Sequence, residues 1–265
     1  MDKQGEFIVK VVILAGGLGT RISEETGIKP KPMVEIGPEP ILWHIMKFYS
    51  TYGFNDFIVC AGYKQNIIKD YFVSYLRNHI DIEVNLEKNS VTILNEHKEN
   101  WNVKVIDTGY LTMTGGRIKR LEKYIAEDEF MLTYGDGLTN LNLNDLIASH
   151  KKSAKTLTIS AVQPKGRFGV LTIDQNSVIE FKEKPAGDST WINGGYYVMN
   201  HEVFDYISGD SSIWEEEPIR KLVEERKVNA FKHSGFWKSM DTMSDKRQLE
   251  EIWNSGKAPW KIWND

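Results

Sequence analysis

The sequence predicts an α/β fold: a Rossmann-like, mainly parallel mixed sheet flanked by helices, with a smaller, partly antiparallel sheet beside it. Three observations lead there. Short β-branched runs alternate with helical patterns through residues 9–150. Glycine-containing loops follow several of those runs, as they do where α/β sheets bind ligands. Beyond residue 150 the strands crowd together with tight connections such as Asp174-Gln-Asn176. The whole of 1–265 reads as one domain in two halves, 9–150 and 151–265, the second carrying the closing helices.

The first strand is Val11 to Ala15, short, apolar and largely β-branched. Gly16, Gly17 and Gly19 follow it, then Arg21, and ten residues later Lys31 within Lys29-Pro-Lys-Pro-Met33. Without a Cβ these glycines let the backbone turn sharply and approach a ligand. The N–H groups of such a turn form a concave donor cluster suited to phosphate. Arg21 adds a fork of donors and Lys31 a point charge, and the prolines hold Lys29 and Lys31 extended. The stretch reads as a polyphosphate cradle; the bland alternative is a tight turn with two surface cations. It is not a dinucleotide fingerprint, because Ile22 stands where Gly or Ala is needed, nor a P-loop, because neither Gly17 nor Gly19 precedes lysine.

Pro40 to Gly53 predicts a helix, with proline at its start, glycine at its end and Ile41, Leu42, Ile45, Met46 and Tyr49 at helical spacing. Phe57 to Ala61 is a buried strand and 66–77 an amphipathic helix. Residues 82–86 and 91–94 alternate around Lys88-Asn-Ser90, predicting a hairpin with one wet face. Val103 to Ile106 is a strand leading into a second glycine loop, 107–117, ahead of a helix over 118–126. Phe130 to Tyr134 is a strand stopped by Gly135-Asp-Gly137, and 143–150 is a helix. The loops at 16–21, 107–117 and 135–137 all follow strands and should converge on one sheet edge. In the second half, strands are expected at 156–162, 169–173, 177–181, 196–199 and 236–240, and helices at 202–207, 215–227 and 244–254. His44 and His79 have no partner at ligand spacing and read as structural. The tail Lys257-Ala-Pro-Trp-Lys-Ile-Trp-Asn264 is too rich in tryptophan for a solvated terminus and should dock on the body or a neighbouring subunit.

Thirty-three basic against thirty-seven acidic residues leave a net charge of −4, which gives no electrostatic case for nucleic acid or an anionic membrane. A phosphate site must therefore be made locally. The single cysteine, Cys60, excludes an intrachain disulfide and fits a reducing cytoplasm; inside an apolar run it reads as a core thiol. No apolar stretch approaches membrane-spanning length.

Asp136, between two glycines at a strand's carboxyl end, would repel a phosphate unless a divalent cation bridged them, as Mg²⁺ does. The bland reading is an ordinary Asp-Gly turn. Asp241, in Trp237-Lys-Ser-Met-Asp-Thr242, is a second candidate, or a helix N-cap. Glu183-Lys-Pro185 sets a lysine where it could take a second substrate's phosphate and a glutamate where it could accept from sugar hydroxyls. Asn193-Gly-Gly195 suits a sugar, or a bulge.

The pattern Leu14-Ala-Gly-Gly-x-Gly-Thr-Arg21, with Pro30-Lys-Pro32 ten residues on, resembles the signature of the sugar-1-phosphate nucleotidylyltransferases, the nucleoside-diphosphate-sugar pyrophosphorylases. Within them the chain is most similar to the group that joins CTP to glucose 1-phosphate, through Ser23-Glu-Glu-Thr26, Asp107-Thr-Gly109, Met113-Thr-Gly-Gly-Arg117, Gly166-Arg-Phe-Gly169 and Gly256-Lys-Ala-Pro-Trp-Lys261. The resemblance implies that Leu14, Ala15, Gly16, Gly17, Gly19, Thr20, Arg21, Lys31, Thr108, Gly109 and Arg117 bind the nucleotide. It implies Gly169, Glu183, Lys184, Asn193 and Gly194 for the sugar phosphate, and Asp136 and Asp241 sharing a Mg²⁺. Arg21, Lys31 and Asp136 would be the catalytic set. It further implies a cytoplasmic homo-oligomer, a hexamer among its forms, supplying CDP-glucose for surface polysaccharide (O-antigen) or deoxysugar synthesis. Gly37-Pro-Glu39 departs from the pattern neutrally, and Tyr110-Leu-Thr112, inside the loop that relatives use near the nucleotide, leaves base or sugar selectivity open. The alternatives are a thymidylyl- or uridylyltransferase acting on a sugar 1-phosphate and a non-catalytic nucleotide-sugar-binding relative.

Overall fold

Five consecutive apolar residues have no polar face to turn to water, so Val11–Ala15 is a strand covered on both sides. The computed structural model describes residues 9–95, 99–164, 170–175, 177–182 and 190–264. Seven strands form its main sheet: β1 (Val11–Ala15), β2 (Asp56–Ala61), β3 (Asn102–Asp107), β4 (Glu129–Tyr134), β5 (Leu157–Val162), β6 (Ile192–Asn200) and β7 (Val228–His233). Their order is β7-β5-β6-β4-β1-β2-β3. β1 runs parallel to β2 and β4, β2 to β3, and β5 to β7; β6 is antiparallel to both β4 and β5.

Alternation along these strands divides the apolar residues between two cores. Val11, Ile13, Phe57, Val59 and Met131 face one side, with α1 (Ile41–Thr51), α2 (Gln65–His79) and, further along the chain, helices at Leu143–Ser153 and Met243–Asn254. Val12, Ile58, Cys60, Phe130 and Leu132 face the other side, which is covered by α3 (Thr114–Lys119) and by a helix at Glu217–Glu224. In chain order the last three are α4 (Leu143–Ser153), α5 (Glu217–Glu224) and α6 (Met243–Asn254). The Cys60 thiol lies in that second core, and burial pushes it up to about 12. It is a packing group.

Several sequence expectations shift. The helix expected over 118–126 starts earlier, inside the glycine loop at Thr114, and ends at Lys119, followed by a 3-10 turn at Glu122–Tyr124. The helix expected at 202–207 is a 3-10 turn, His201–Tyr206. β5, β6 and β7 extend the main sheet; the antiparallel addition is the Val170–Asp174/Ser177–Lys182 ribbon. β7 was not anticipated, because an edge strand is held by its backbone pairing with β5 and needs no apolar alternation. The hairpin expected after α2 forms as Ile82–Asn85 with Ser90–Ile93, and places Ile82 opposite Ile93 and Val84 opposite Val91. All four are exposed, so its apolar face is open as well as its polar one. The tail docks on the body: Trp260 is buried, and its indole Nε1 donates to His44 Nδ1 at 3.4 Å.

Candidate active site

β1 delivers the chain to the sheet's carboxyl edge, where Gly19 adopts φ +66° and starts a 3-10 turn, Thr20–Ile22, that lifts Arg21. The Thr26 hydroxyl donates to Gly19 O at 3.0 Å and fixes the loop's far end. A second 3-10 turn, Lys31–Met33, begins after extended Pro30 and aims Lys31 into the same cleft. β4 ends at Tyr134, and Gly135 and Asp136 follow directly.

A short antiparallel ribbon then closes the site. Gly137–Thr139 pairs with Trp237–Ser239, Gly137 opposite Ser239, and Met240 N donates to Asp136 O at 2.9 Å. Two carboxylates remote in sequence thereby become neighbours. Lys31 Nζ donates to Asp136 Oδ2 at 2.5 Å and to Asp241 Oδ1 at 2.9 Å. Arg21 pairs with the same Asp241 oxygen at 2.9 Å, and Ser239 Oγ donates to Asp241 Oδ2 at 2.8 Å. Burial alone would push the Asp241 carboxyl up, but Lys31, Ser239 and Arg21 together hold it below the usual carboxylate range.

Asp241 is not a helix cap. Thr242 caps α6, accepting from Asp245 N while the Asp245 side chain accepts from Thr242 N. The carboxylate is left to bond Lys31 and Arg21, both of which line the cleft. Two such groups at one point are the hard oxygen donors that suit Mg²⁺, which commonly takes one or two carboxylates together with phosphate oxygens. Among the described residues there is no cluster of three or more potential ligands. The protein's share of such an ion would be these two carboxylates.

The glycine residues and their neighbours Leu14, Ala15 and Thr20 line the cleft with Arg21, Lys31, Asp136 and Arg117, so the 16–21, 107–117 and 135–137 loops do converge. Arg117 lies against Gly16. Its guanidinium donates to Thr108 Oγ1 at 2.8 Å, Gly109 O at 2.7 Å and Tyr110 O at 3.3 Å. Thr108 is fully buried and donates to Ala61 O at 2.7 Å. Thr108 and Gly109 therefore support the loop from beneath, with Arg117 as the clasp. Asn193 donates to Tyr197 Oη at 2.5 Å and accepts from Gly195 N at 2.9 Å, while Gly194 O accepts from Trp237 Nε1 at 2.7 Å. The β5–β6 register shifts here, as the bulge reading anticipated. Gly169, Glu183 and Lys184 lie outside the described residues.

Thr112, Met113 and Thr114 bring the expected 107–117 loop into the cleft, whereas Tyr134, Ile213 and Glu215 were missed as lining residues. Glu215 accepts from Tyr134 Oη and, at 2.7 Å, from Thr114 Oγ1; Tyr134 also meets Tyr197 Oη at 2.8 Å. Glu215 stands in a run of three glutamates before Pro218, where nothing separates a cleft residue from a solvated one. Tyr134 had a usable signal, its position immediately before Gly135-Asp136.

A mainly parallel sheet whose carboxyl edge gathers a glycine loop, two cations and two carboxylates fits a nucleotidyltransferase. The chain belongs to the nucleotidyl transferase family, whose model matches residues 10–255. It is 50% identical over 256 residues to glucose-1-phosphate cytidylyltransferase of Salmonella typhi, an alignment covering 96% of this chain and 100% of that one. It is 40% identical, with the same coverage, to the probable glucose-1-phosphate cytidylyltransferase of Bacillus subtilis. Among solved structures, HddC from Yersinia pseudotuberculosis is similar, with a TM-score of 0.68 at 27% identity over 92% of this chain and 99% of that one.

Proposed function

We infer that the chain is an enzyme converting CTP and α-D-glucose 1-phosphate to CDP-glucose and pyrophosphate. The observation that carries the chemistry is the meeting of Lys31, Asp136 and Asp241 beside the glycine loop. The full-length similarity to glucose-1-phosphate cytidylyltransferases supports the substrate pair.

A phosphate oxygen of the sugar attacks the α-phosphorus of CTP, a new P–O bond forms, and pyrophosphate leaves with the electrons of the broken bond. The nucleophile carries about −1.5 to −2 charge near neutrality, so no general base is needed. The cleft's described lining holds neither histidine nor cysteine, in keeping with that chemistry. Catalysis is positioning and charge neutralisation. The 16–21 backbone and Lys31 cradle the triphosphate, and Arg21, exposed at the mouth, reaches the charge that develops on the transferred group. Arg117 keeps the 107–113 loop against the glycine turn, where a base would lie. Asp136 and Asp241 would hold Mg²⁺, which when bound supplies positive charge to the phosphate oxygens. Residues 151–265 complete the sugar side, with Lys184 taking the sugar phosphate, Glu183 and Asn193 its hydroxyls, and Gly169 and Gly194 giving backbone access. A homo-oligomer in the cytoplasm, feeding surface-polysaccharide or deoxysugar synthesis, belongs to this reading. The open Ile82–Ile93 and Val84–Val91 pairs and the single buried cysteine support its first two parts.

The test offers the purified protein an equimolar set of nucleoside triphosphates with several sugar 1-phosphates and a divalent cation, products being identified by mass. Pyrophosphate release from CTP is expected only with glucose 1-phosphate and the cation both present. Comparable turnover of dTTP would overturn the cytidine assignment and leave the nucleotidyl transfer standing.

A further inference from the structure

The Lys31 ammonium stands at the point that a cation shared by Asp136 and Asp241 would take. It bonds both carboxylates, and its side chain is only 11% exposed. Arg21 reaches Asp241 from the open side with 72% of its side chain exposed. Two positive groups thus face two negative ones, and the carboxylate pair is balanced by the chain's own cations. A Mg²⁺ ion needs carboxylate oxygens at about 2.1 Å. An ion placed so would share Asp136 Oδ2 and Asp241 Oδ1 with a like-charged group already bonded to them. Of the two protein cations only Lys31 lies between the carboxylates, so it is the one that must leave.

Where it can go is set by the cleft. Lys31 lines the same cleft as Gly16, Gly17, Gly19 and Arg21, and its four-carbon stem allows the ammonium to swing while its backbone stays in the Lys31–Met33 turn. We propose that Lys31 keeps the metal site shut until a triphosphate on the glycine loop draws it away, so that divalent cation and nucleotide are bound together. In the exchange every charge keeps a partner. Lys31 turns to phosphate oxygens, and the metal takes the carboxylates it releases. The proposal rests on the nucleotidyltransferase reading above and adds an order of events to it. By linkage, the nucleotide must raise metal affinity by the same factor as the metal raises nucleotide affinity.

The experiment measures free Mn²⁺ by electron paramagnetic resonance. The full chain is titrated alone, with a non-hydrolysable CTP analogue, and with inorganic tripolyphosphate, subtracting metal held by the phosphate compound itself. Mn²⁺ should bind weakly to the protein alone and at least about tenfold more tightly with the phosphate compounds, within the usual range of coupling. Lys31→Met should bind Mn²⁺ without any phosphate compound at least about tenfold more tightly than wild type. Its melting temperature should rise on adding Mn²⁺ where that of wild type does not. Wild-type affinity indifferent to both phosphate compounds, or a Lys31→Met chain binding Mn²⁺ no better than wild type, would overturn the proposal. Should that variant not fold, the wild-type titrations decide. If tripolyphosphate tightens Mn²⁺ and the CTP analogue does not, the exchange stands and the cytidine reading falls.

Discussion

Asp241 and Thr242 are adjacent residues with separable jobs, one bonding the cleft residue Lys31 and the other capping α6. Asp241→Asn keeps the shape and removes a charge, and should lower kcat/KM by on the order of 10²-fold or more, as losses of aimed electrostatic groups do. Asp136→Asn should do the same, and the double mutant should lose little beyond either single one, since residues acting as a unit are not additive. Thr242→Ala should retain activity while losing about 1 kcal/mol of stability, the usual worth of a cap. Kinetics across a Mg²⁺ titration with parallel thermal melts separate the two residues. Full, metal-dependent activity in Asp241→Asn would remove that carboxylate from the site. Lys31 and Lys184 divide in the same way: Lys31→Ala should impair use of CTP, and Lys184→Ala should raise KM chiefly for glucose 1-phosphate. Equal effects of both on both substrates would contradict that division.

At the scale of elements, α3 is where the chain departs most from its own local preferences. Gly115 and Gly116 are poor helix formers, and from sequence they read as loop. They are helical because the helix lies hard against the 210–212 segment. A Cβ on Gly116 would sit 2.6 Å from Asp210 Cα, and one on Gly115 2.7 Å from Ser212 O. That contact carries Ile213 and Glu215 into the cleft. Gly116→Ala should therefore destabilise the protein by about 1–3 kcal/mol through overpacking and alter KM for CTP. A variant with unchanged melting temperature and KM would show that the approach is not tight. The same contrast explains what was legible in the sequence. The glycine loop, α1, β1, β2 and β4 announce themselves through local pattern, and Arg21, Lys31 and Asp136 come with them. The pairing of Gly137–Thr139 with Trp237–Ser239, which brings Asp241 to Lys31, is a long-range backbone match with no local signature. Glu215 likewise reaches the cleft through packing against α3, and β7 joins the sheet through its ladder with β5, Val228 and Phe231 packing on the two cores.

Across the whole molecule, the chain's end closes on α1, the helix that follows the Lys31 turn. His44 in α1 is fully buried, edge-on to Trp253 at 4.7 Å and Trp260 at 6.2 Å between ring centres. Its Nε2 meets Ile36 O at 2.9 Å, while Nδ1 faces the Trp260 N–H. Nε2 must donate and Nδ1 accept, so the site fits the neutral imidazole; a second ring proton would point at an N–H. Burial accordingly lowers His44 to about 4, against the Ile36 and Glu39 backbone, which work the other way. The unfolded chain takes up this proton near pH 6.5, whereas the folded chain resists until about pH 4. The stabilisation from neutral His44 is thus complete above pH 6.5 and is lost as pH falls from 6.5 to 4. Its size is on the order of 3 kcal/mol, at about 1.4 kcal/mol per pKa unit. Denaturant unfolding of wild type and His44→Gln at pH 7.5, 5.5 and 4 reads this as a stability difference that shrinks by that amount on acidification. A difference constant with pH would assign the acid sensitivity to other groups. If the Gln variant cannot be folded, the NMR titration of the His44 ring in wild type decides, with a midpoint near 6.5 ruling the account out.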